Sequence, residues 1–155
     1  MKATKLKETQ SLMTENEIQE FGINIVLQHI QKEGFEILGV NVDMDKNPQI
    51  FARSNDDLAF ITVRTALYPK TGTIEDGSLM KDLIANADKH GAICYFASVG
   101  ILNADAKTEE EKGLPVREAN FYILFDGLLV LTYRDRVKDF KECMESVKPE
   151  LRVIH

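Results

Sequence analysis

The pattern of apolar and polar positions predicts a helix near the start of the chain. Thr14 and Glu17 have the spacing of a capping box, in which a Thr side chain and a Glu three residues later cap each other's backbone. Apolar residues then recur at intervals of three and four as far as Gly34, a residue type that commonly ends helices. We therefore predict a helix over residues 15–33, after a polar and mobile lead-in over residues 1–13.

The next segment has the composition of consecutive strands. Residues 35–42, 49–53 and 58–67 are rich in β-branched and aromatic residues, and polar turn residues fill the gaps at 43–48 and 54–57. Connections this short join strands that run in opposite directions, so an antiparallel meander is predicted.

A second helix and a buried strand follow a loop over residues 68–77. Ser78 is a candidate N-cap for a helix that runs to about His90 and has an apolar stripe along one side. Residues 92–102 are almost continuously apolar, as in a central strand that is buried on both faces. Because a helix precedes this strand, we expect it to run parallel to an earlier strand through a right-handed crossover.

The last third of the chain predicts a polar excursion, a β-hairpin and a final helix. The excursion covers residues 103–119, the hairpin covers 120–132, and the helix runs from residue 135 or 136 to 148. Asp126-Gly127, between two apolar runs, is typical of a two-residue hairpin turn. The whole order predicts a single α+β domain over residues 1–155, α/β in the broad sense, with helices covering a mixed sheet.

Composition narrows the classes of function. The formal net charge is −6 and the sequence pI is near 5.1, which disfavours nucleic acid as a partner because phosphate binding needs basic surface. No apolar run reaches the ~20 residues that cross a bilayer, and the basic N-terminus lacks an apolar leader, so neither a membrane nor secretion is expected. Cys94 and Cys143 lack CxxC spacing and are expected to be reduced thiols in the cytoplasm.

Three short segments resemble a known family. Pro48–Arg53 (PQIFAR), Ser54–Asp57 (SNDD) and Phe60–Thr65 (FITVRT) are similar, without a gap, to the motif of small predicted endonucleases of the YraN type. Those proteins are related to archaeal Holliday-junction resolvases and have the restriction-endonuclease-like, PD-(D/E)XK fold. The resemblance covers residues 15–102 and implies an α-β-β-β-α-β core, with a mixed central sheet flanked by helices.

The resemblance also marks the catalytic positions of that family, and this chain departs from all of them. Gln49 replaces the first acid, Thr62 the second acid and Arg64 the lysine. In the family, the acids bind Mg²⁺ and the lysine positions or activates the attacking water. Gln and Thr are weak ligands for a hard dication, and a protonated Arg cannot act as a base. The resemblance therefore implies a catalytically inactive protein without a cofactor, acting as a binding or interaction module, with a homodimer as one option.

A relocated metal site is one alternative. Relocated acids, Glu20, Asp43 or Asp45, could hold Mg²⁺ or Mn²⁺ and make the chain a divergent endonuclease. Asp56 and Asp57 are more simply the turn residues of a hairpin.

Two further interpretations stay open. Arg64 and Gln49 could hold a phosphate or carboxylate, or Arg64 could pair with a neighbouring acid. A different α+β fold, a cone-shaped sheet wrapped round a helix with a small apolar ligand inside, predicts an internal cavity and no parallel crossover over residues 78–102.

Overall fold

The computed structural model describes residues 11–133 and 150–154. Within these ranges the chain forms two α-helices, a short 3₁₀ helix and seven strands. The helices are α1 (Glu15–Lys32), α2 (Gly77–Lys89) and the 3₁₀ helix Glu110–Gly113. The strands are β1 (Glu36–Val40), β2 (Ile50–Ser54), β3 (Asp57–Leu67), β4 (Ala92–Asn103), β5 (Phe121–Leu124), β6 (Leu129–Tyr133) and β7 (Glu150–Ile154).

The described strands form one mixed sheet in the order β1-β2-β3-β4-β6-β7, with β5 also on β4. β1, β2 and β3 make the predicted antiparallel meander. β3 runs parallel to β4, from Leu58 beside Ala92 to Leu67 beside Ile101, and α2 connects the two strands. The α+β class with a mixed sheet between helices is therefore confirmed. The same parallel pair contradicts the cone-shaped alternative, which predicted no crossover here.

The two helices cover opposite faces of the sheet. Ile23, Val26 and Ile30 of α1 recur at helical spacing and are fully buried against one face. On the other face α2 packs against β3, β4 and β6, in a cluster of Phe60, Leu83, Ile84, Ala87, Cys94, Phe96 and Leu131. β4 contributes to both clusters, as its continuous apolar sequence predicts.

Side chains cap the first turn of each α-helix. The Thr14 hydroxyl accepts from the Glu17 amide at 3.2 Å, and the Glu17 carboxylate accepts from the Thr14 amide at 2.8 Å, which confirms the capping box. The N-cap of α2 is Asp76 and not Ser78, which corrects the prediction. Asp76 has an extended backbone and its carboxylate accepts from the Leu79 amide at 2.7 Å. Asp and Ser are nearly equal as N-caps, so the sequence alone did not separate them.

The predicted hairpin over residues 120–132 is wrong. β5 and β6 lie one after the other along the same edge of β4, and both run antiparallel to it. Between them four residues, 125–128, stand opposite three residues of β4, 97–99, so the chain makes a bulge and does not reverse. Gly127 has a φ of 101°. Because a left-handed glycine suits both a bulge and a two-residue turn, Asp126-Gly127 did not distinguish them.

Residues 11–13 are tied to the rest of the domain, which corrects their assignment to a mobile lead-in. The Met13 amide donates to the Pro115 carbonyl and the Arg117 amide donates to the Ser11 carbonyl, each at 2.8 Å. The Arg117 guanidinium also donates to the Glu17 carboxylate, and this hydrogen bond, together with that from the Thr14 amide, lowers the pKa of Glu17 to about 2. These are long-range contacts, which a local polar pattern does not reveal. The predicted last helix and residues 1–10 lie outside the described residues.

Candidate functional site

The candidate site lies where β2 begins beside the middle of β3. Ile50, the first residue of β2, pairs with Ile61, and the Gln49 amide adds one more hydrogen bond to the Ile61 carbonyl at 3.0 Å. β3 then continues to Leu67 without β2 beside it. Alternate residues of a strand direct their backbone groups to the same edge. Val63 therefore faces the same edge as Ile61, but at a point that β2 does not reach.

Two glutamine side chains complete the backbone hydrogen bonding of Val63. Gln49 Oε1 accepts from the Val63 amide, and Gln19 Nε2 of α1 donates to the Val63 carbonyl, each at 2.7 Å. Gln49 is fully buried and Gln19 is 3% exposed. A buried backbone group without a partner is costly, so these side chains take the place of the missing strand.

Gln49 also anchors the loop before β2. Its Nε2 donates to Asn47 Oδ1 at 2.9 Å and to the Asp43 carbonyl at 3.3 Å. Within this loop, Asp43 Oδ1 accepts from the Asp45 amide at 2.9 Å, as in an Asx turn. Both ends of the Gln49 amide are thus engaged in holding the loop to β3.

Arg64 is a buried cation surrounded by hydrogen-bond acceptors. Its side chain is 5% exposed. Nε and Nη2 donate to the two carboxylate oxygens of Glu75 at 2.9 and 3.2 Å, a bidentate pair. Nη1 donates to the Val63 carbonyl at 3.0 Å, and a longer contact joins it to Gln49 Oε1 at 3.4 Å. The structure therefore favours the alternative in which Arg64 pairs with a neighbouring acid.

The loop between β3 and α2 brings Glu75 to Arg64. The Gly72 amide donates to the Val99 carbonyl at 3.1 Å, and Ser98 Oγ donates to the Gly72 carbonyl at 2.6 Å. A Cβ at Gly72 would lie 1.8 Å from the Arg64 carbonyl oxygen, so only glycine allows the loop to lie this close to β3. The Glu75 side chain stays 54% exposed at the surface.

The charge on Glu75 is stabilised by Arg64. Burial makes the largest contribution to the pKa of Glu75 and raises it, but the hydrogen bond and positive charge of Arg64 together outweigh burial and leave the pKa below its ordinary value. The pair is therefore ionised at neutral pH, and the buried positive charge is neutralised by a residue of the same chain.

The three positions marked by the resemblance lie in this one region, whereas the alternative acids lie on the surface. Thr62 is 1% exposed and precedes Arg64 by two residues, so both side chains are on the same face of β3. Glu20, Asp43 and Asp45 are exposed. Within the described part of the chain, no three Asp, Glu, His or Cys side chains are grouped so that they could hold a metal ion.

Of the two acids predicted as turn residues, Asp56 has that position, whereas Asp57 is the first residue of β3. Ser54 pairs with Asp57, which leaves Asn55 and Asp56 as a two-residue turn between β2 and β3. Asn55 has a φ of 57°, a conformation that Asn tolerates better than most residues.

Gln19, Gln49, Arg64 and Glu75 form one hydrogen-bonded polar cluster around Val63. Sequence reasoning missed two residues of this cluster, Gln19 and Glu75. Gln19 lies on the buried side of α1 with Ile23 and Val26, where a polar residue is unusual, and that position was the available signal. Glu75 belongs to a polar loop without periodicity, so no local pattern marks it.

Close packing of α1 on β3 lets Gln19 reach Val63. A Cβ at Gly22, almost one turn after Gln19, would lie 1.7 Å from Thr65 Oγ1. Gln19 Oε1 and Thr65 Oγ1 are both buried without a hydrogen-bond partner among the described residues. Glycine at position 22 is therefore what permits this short distance between helix and strand.

A family model matches residues 16–131 of the chain. The chain belongs to the DUF8840 family, a domain of unknown function. The DUF8840 match runs from α1 into β6 and contains all four hydrogen-bonding side chains of the cluster: Gln19, Gln49, Arg64 and Glu75. No curated protein and no solved structure matches the chain. None of the described helices combines the length and apolar character that a membrane span requires.

Proposed function

We propose that this DUF8840 protein is a non-catalytic protein of the restriction-endonuclease-like fold that acts as a binding or interaction module. The observation that carries the proposal is the ion pair of the buried Arg64 with Glu75, at the position where the resemblance places a catalytic lysine. The polar side chains there hold the end of the β2–β3 ladder and the neighbouring loops in place.

Electrostatics support the absence of metal-dependent catalysis at this position. A Mg²⁺ or Mn²⁺ ion needs carboxylate oxygens, and the residue just before β2 is Gln49, whose neutral amide oxygen accepts from Val63 and Arg64. A dication there would also be repelled by the guanidinium, strongly so at low local dielectric. The residues present therefore do not fit a nuclease metal site.

A protein surface is the partner class that we favour. The net charge of −6 disfavours nucleic acid. Apolar side chains are exposed on and just after β1 and on β5: Leu38, Val40, Val42, Met44, Tyr122, Ile123 and Leu124. Exposed apolar residues on edge strands suit a second copy of the chain or another protein. In the same proposal the protein works in the cytoplasm, where the buried thiol of Cys94 stays reduced.

A combined cleavage and binding assay tests this proposal. Purified protein is incubated at low salt with Mn²⁺ and labelled duplex, single-stranded or forked DNA, and binding and cleavage are read on the same gel. We expect no cleavage, because the cluster offers a cation where the chemistry requires carboxylates.

Variants separate real activity from a contaminant. Cleavage that disappears with chelator and in Glu20→Ala, Asp43→Ala or Asp45→Ala, but persists in Asp56→Ala, would contradict the proposal and assign a relocated metal site. Asp56→Ala is the matched control because Asp56 is a turn residue between β2 and β3.

A further inference from the structure

We propose that Arg64 forms an oxyanion site in which Glu75 is an internal, displaceable ligand and a phosphate monoester or inorganic phosphate is the external one. The inference rests on the proposed function. If carboxylates bound a metal ion at this cluster, the Arg64 guanidinium would not be presented to an external phosphate.

The two sides of the guanidinium differ in what holds them. On the inner side, Nη1 faces the Val63 carbonyl and Gln49 Oε1, both parts of the buried end of the β2–β3 ladder. On the outer side, Nε and Nη2 donate to the Glu75 carboxylate. We expect these inner contacts to hold Nη1 in place when Glu75 turns away.

Glu75 is the member of the cluster that can leave. Its side chain is 54% exposed, compared with 5% for Arg64, so the carboxylate is the partner of the guanidinium that solvent reaches. Glu75 lies in the loop before α2 and can be hydrated when it turns outward. The paired N–H groups that it vacates suit a phosphate as well as a carboxylate.

Charge selects the external ligand. A free carboxylate has no advantage over Glu75, which is tethered beside Arg64 at a high effective concentration. A phosphate monoester carries a charge of about −1.5 to −2 at neutral pH and three acceptor oxygens, whereas a phosphodiester carries only about −1. Asp76, next to Glu75, repels every anion and keeps the affinity of the wild type weak. A terminal phosphate is therefore favoured over a nucleic-acid backbone.

The test is a titration of isotope-labelled full-length protein, followed by the NMR signal of the Arg64 Nε–H group. Inorganic phosphate, dimethyl phosphate and acetate are each added up to tens of millimolar at constant ionic strength. In the wild type we expect phosphate to shift this signal and the two monoanions to leave it nearly unchanged. In Glu75→Gln we expect phosphate to bind about tenfold tighter or more, because the tethered competitor is gone.

Glu17→Gln is the matched control, because it removes the carboxylate of an exposed Arg–Glu pair, with Arg117. We expect its phosphate affinity to equal that of the wild type. A flat titration of Arg64 in both the wild type and Glu75→Gln would overturn the inference, as would an equal gain in Glu17→Gln. Equal binding of dimethyl phosphate and phosphate would overturn the assignment to monoesters. If Glu75→Gln does not fold, the wild-type titration decides alone.

The two proposals fail in different ways. Mn²⁺-dependent cleavage would contradict the proposed function, whereas the phosphate titration contains no metal and no nucleic acid. A flat titration together with absent cleavage would leave the proposed function standing without this ligand.

Discussion

At the scale of residues, Arg64 shows how this chain tolerates a buried charge. Removing a guanidinium from water costs several kcal/mol, which only a close counter-ion and satisfied N–H groups offset. Glu75 supplies the counter-ion, while Val63 and Gln49 supply further acceptors. Gln49 in turn accepts from the Val63 amide, so the hydrogen bonds of Arg64, Gln49 and the Val63 backbone depend on one another.

Removing the counter-ion is expected to destabilise the fold. Glu75→Gln leaves Arg64 charged and largely buried, and we expect a loss of about 2 to 3 kcal/mol in the free energy of unfolding. The loss is smaller than for a fully buried pair because Glu75 is half exposed. Urea denaturation measures it, with Glu20→Gln, which changes an exposed carboxylate on α1, as the control in which little change is expected. Equal stability of Glu75→Gln and the wild type would show that the pair contributes nothing.

The same pair predicts a pH dependence with a definite sign. Arg64 lowers the pKa of Glu75 below its ordinary value of 4.5 in the folded protein, so this contribution to stability is complete above that value. It is lost as the pH falls through the lowered pKa. The stability difference between the wild type and Glu75→Gln should therefore shrink on acidification, in urea denaturation between about pH 6 and pH 3. A difference that grows towards low pH would mean that the pKa is raised.

At the scale of elements, the contact between α1 and β3 positions the cluster. α1 lies close enough for Gln19 to donate to the Val63 carbonyl only because Gly22 has no side chain. Glycine in the helix costs about 1 kcal/mol relative to alanine, and the short distance between α1 and β3 requires it.

Two helical glycines test this explanation. Gly22→Ala places a Cβ 1.7 Å from Thr65 Oγ1, and we expect a destabilisation of about 1 to 3 kcal/mol despite the better propensity. Gly77→Ala in α2 has nothing within 4 Å of the new Cβ, and we expect unchanged or slightly higher stability. Thermal unfolding compares the two. A stabilised Gly22→Ala would show that α1 can move away from β3 without loss.

The elements themselves were largely predictable, because their signals are local. The capping box and Gly34 bounded α1, and the continuous apolar run of residues 92–102 identified β4. The bulge at Gly127 was not predictable, because a hairpin needs the same residue types. The Gln19 contact joins residues 44 apart in sequence and the Glu75 contact joins residues 11 apart, and neither pairing has a local signature.

At the scale of the whole molecule, the sheet brings together the three positions that the resemblance marks. β2 begins beside the middle of β3, and this geometry gathers Gln49, Thr62 and Arg64 in one buried region. The resemblance in the sequence marks these three positions, and their assignment as the family's catalytic positions stays a prediction. It did not predict that Glu75 neutralises Arg64, because that contact depends on how the loop after β3 folds back.

The most direct test of the central claim is a titration of the labelled wild-type protein with Mn²⁺, read by paramagnetic broadening of the amide signals. We expect no selective broadening at Gln49, Val63 and Arg64, because the Arg64 cation occupies this region. Only weak, diffuse broadening near exposed acids is expected. Selective broadening around Val63 that chelator reverses would contradict the claim and assign a metal site to the cluster.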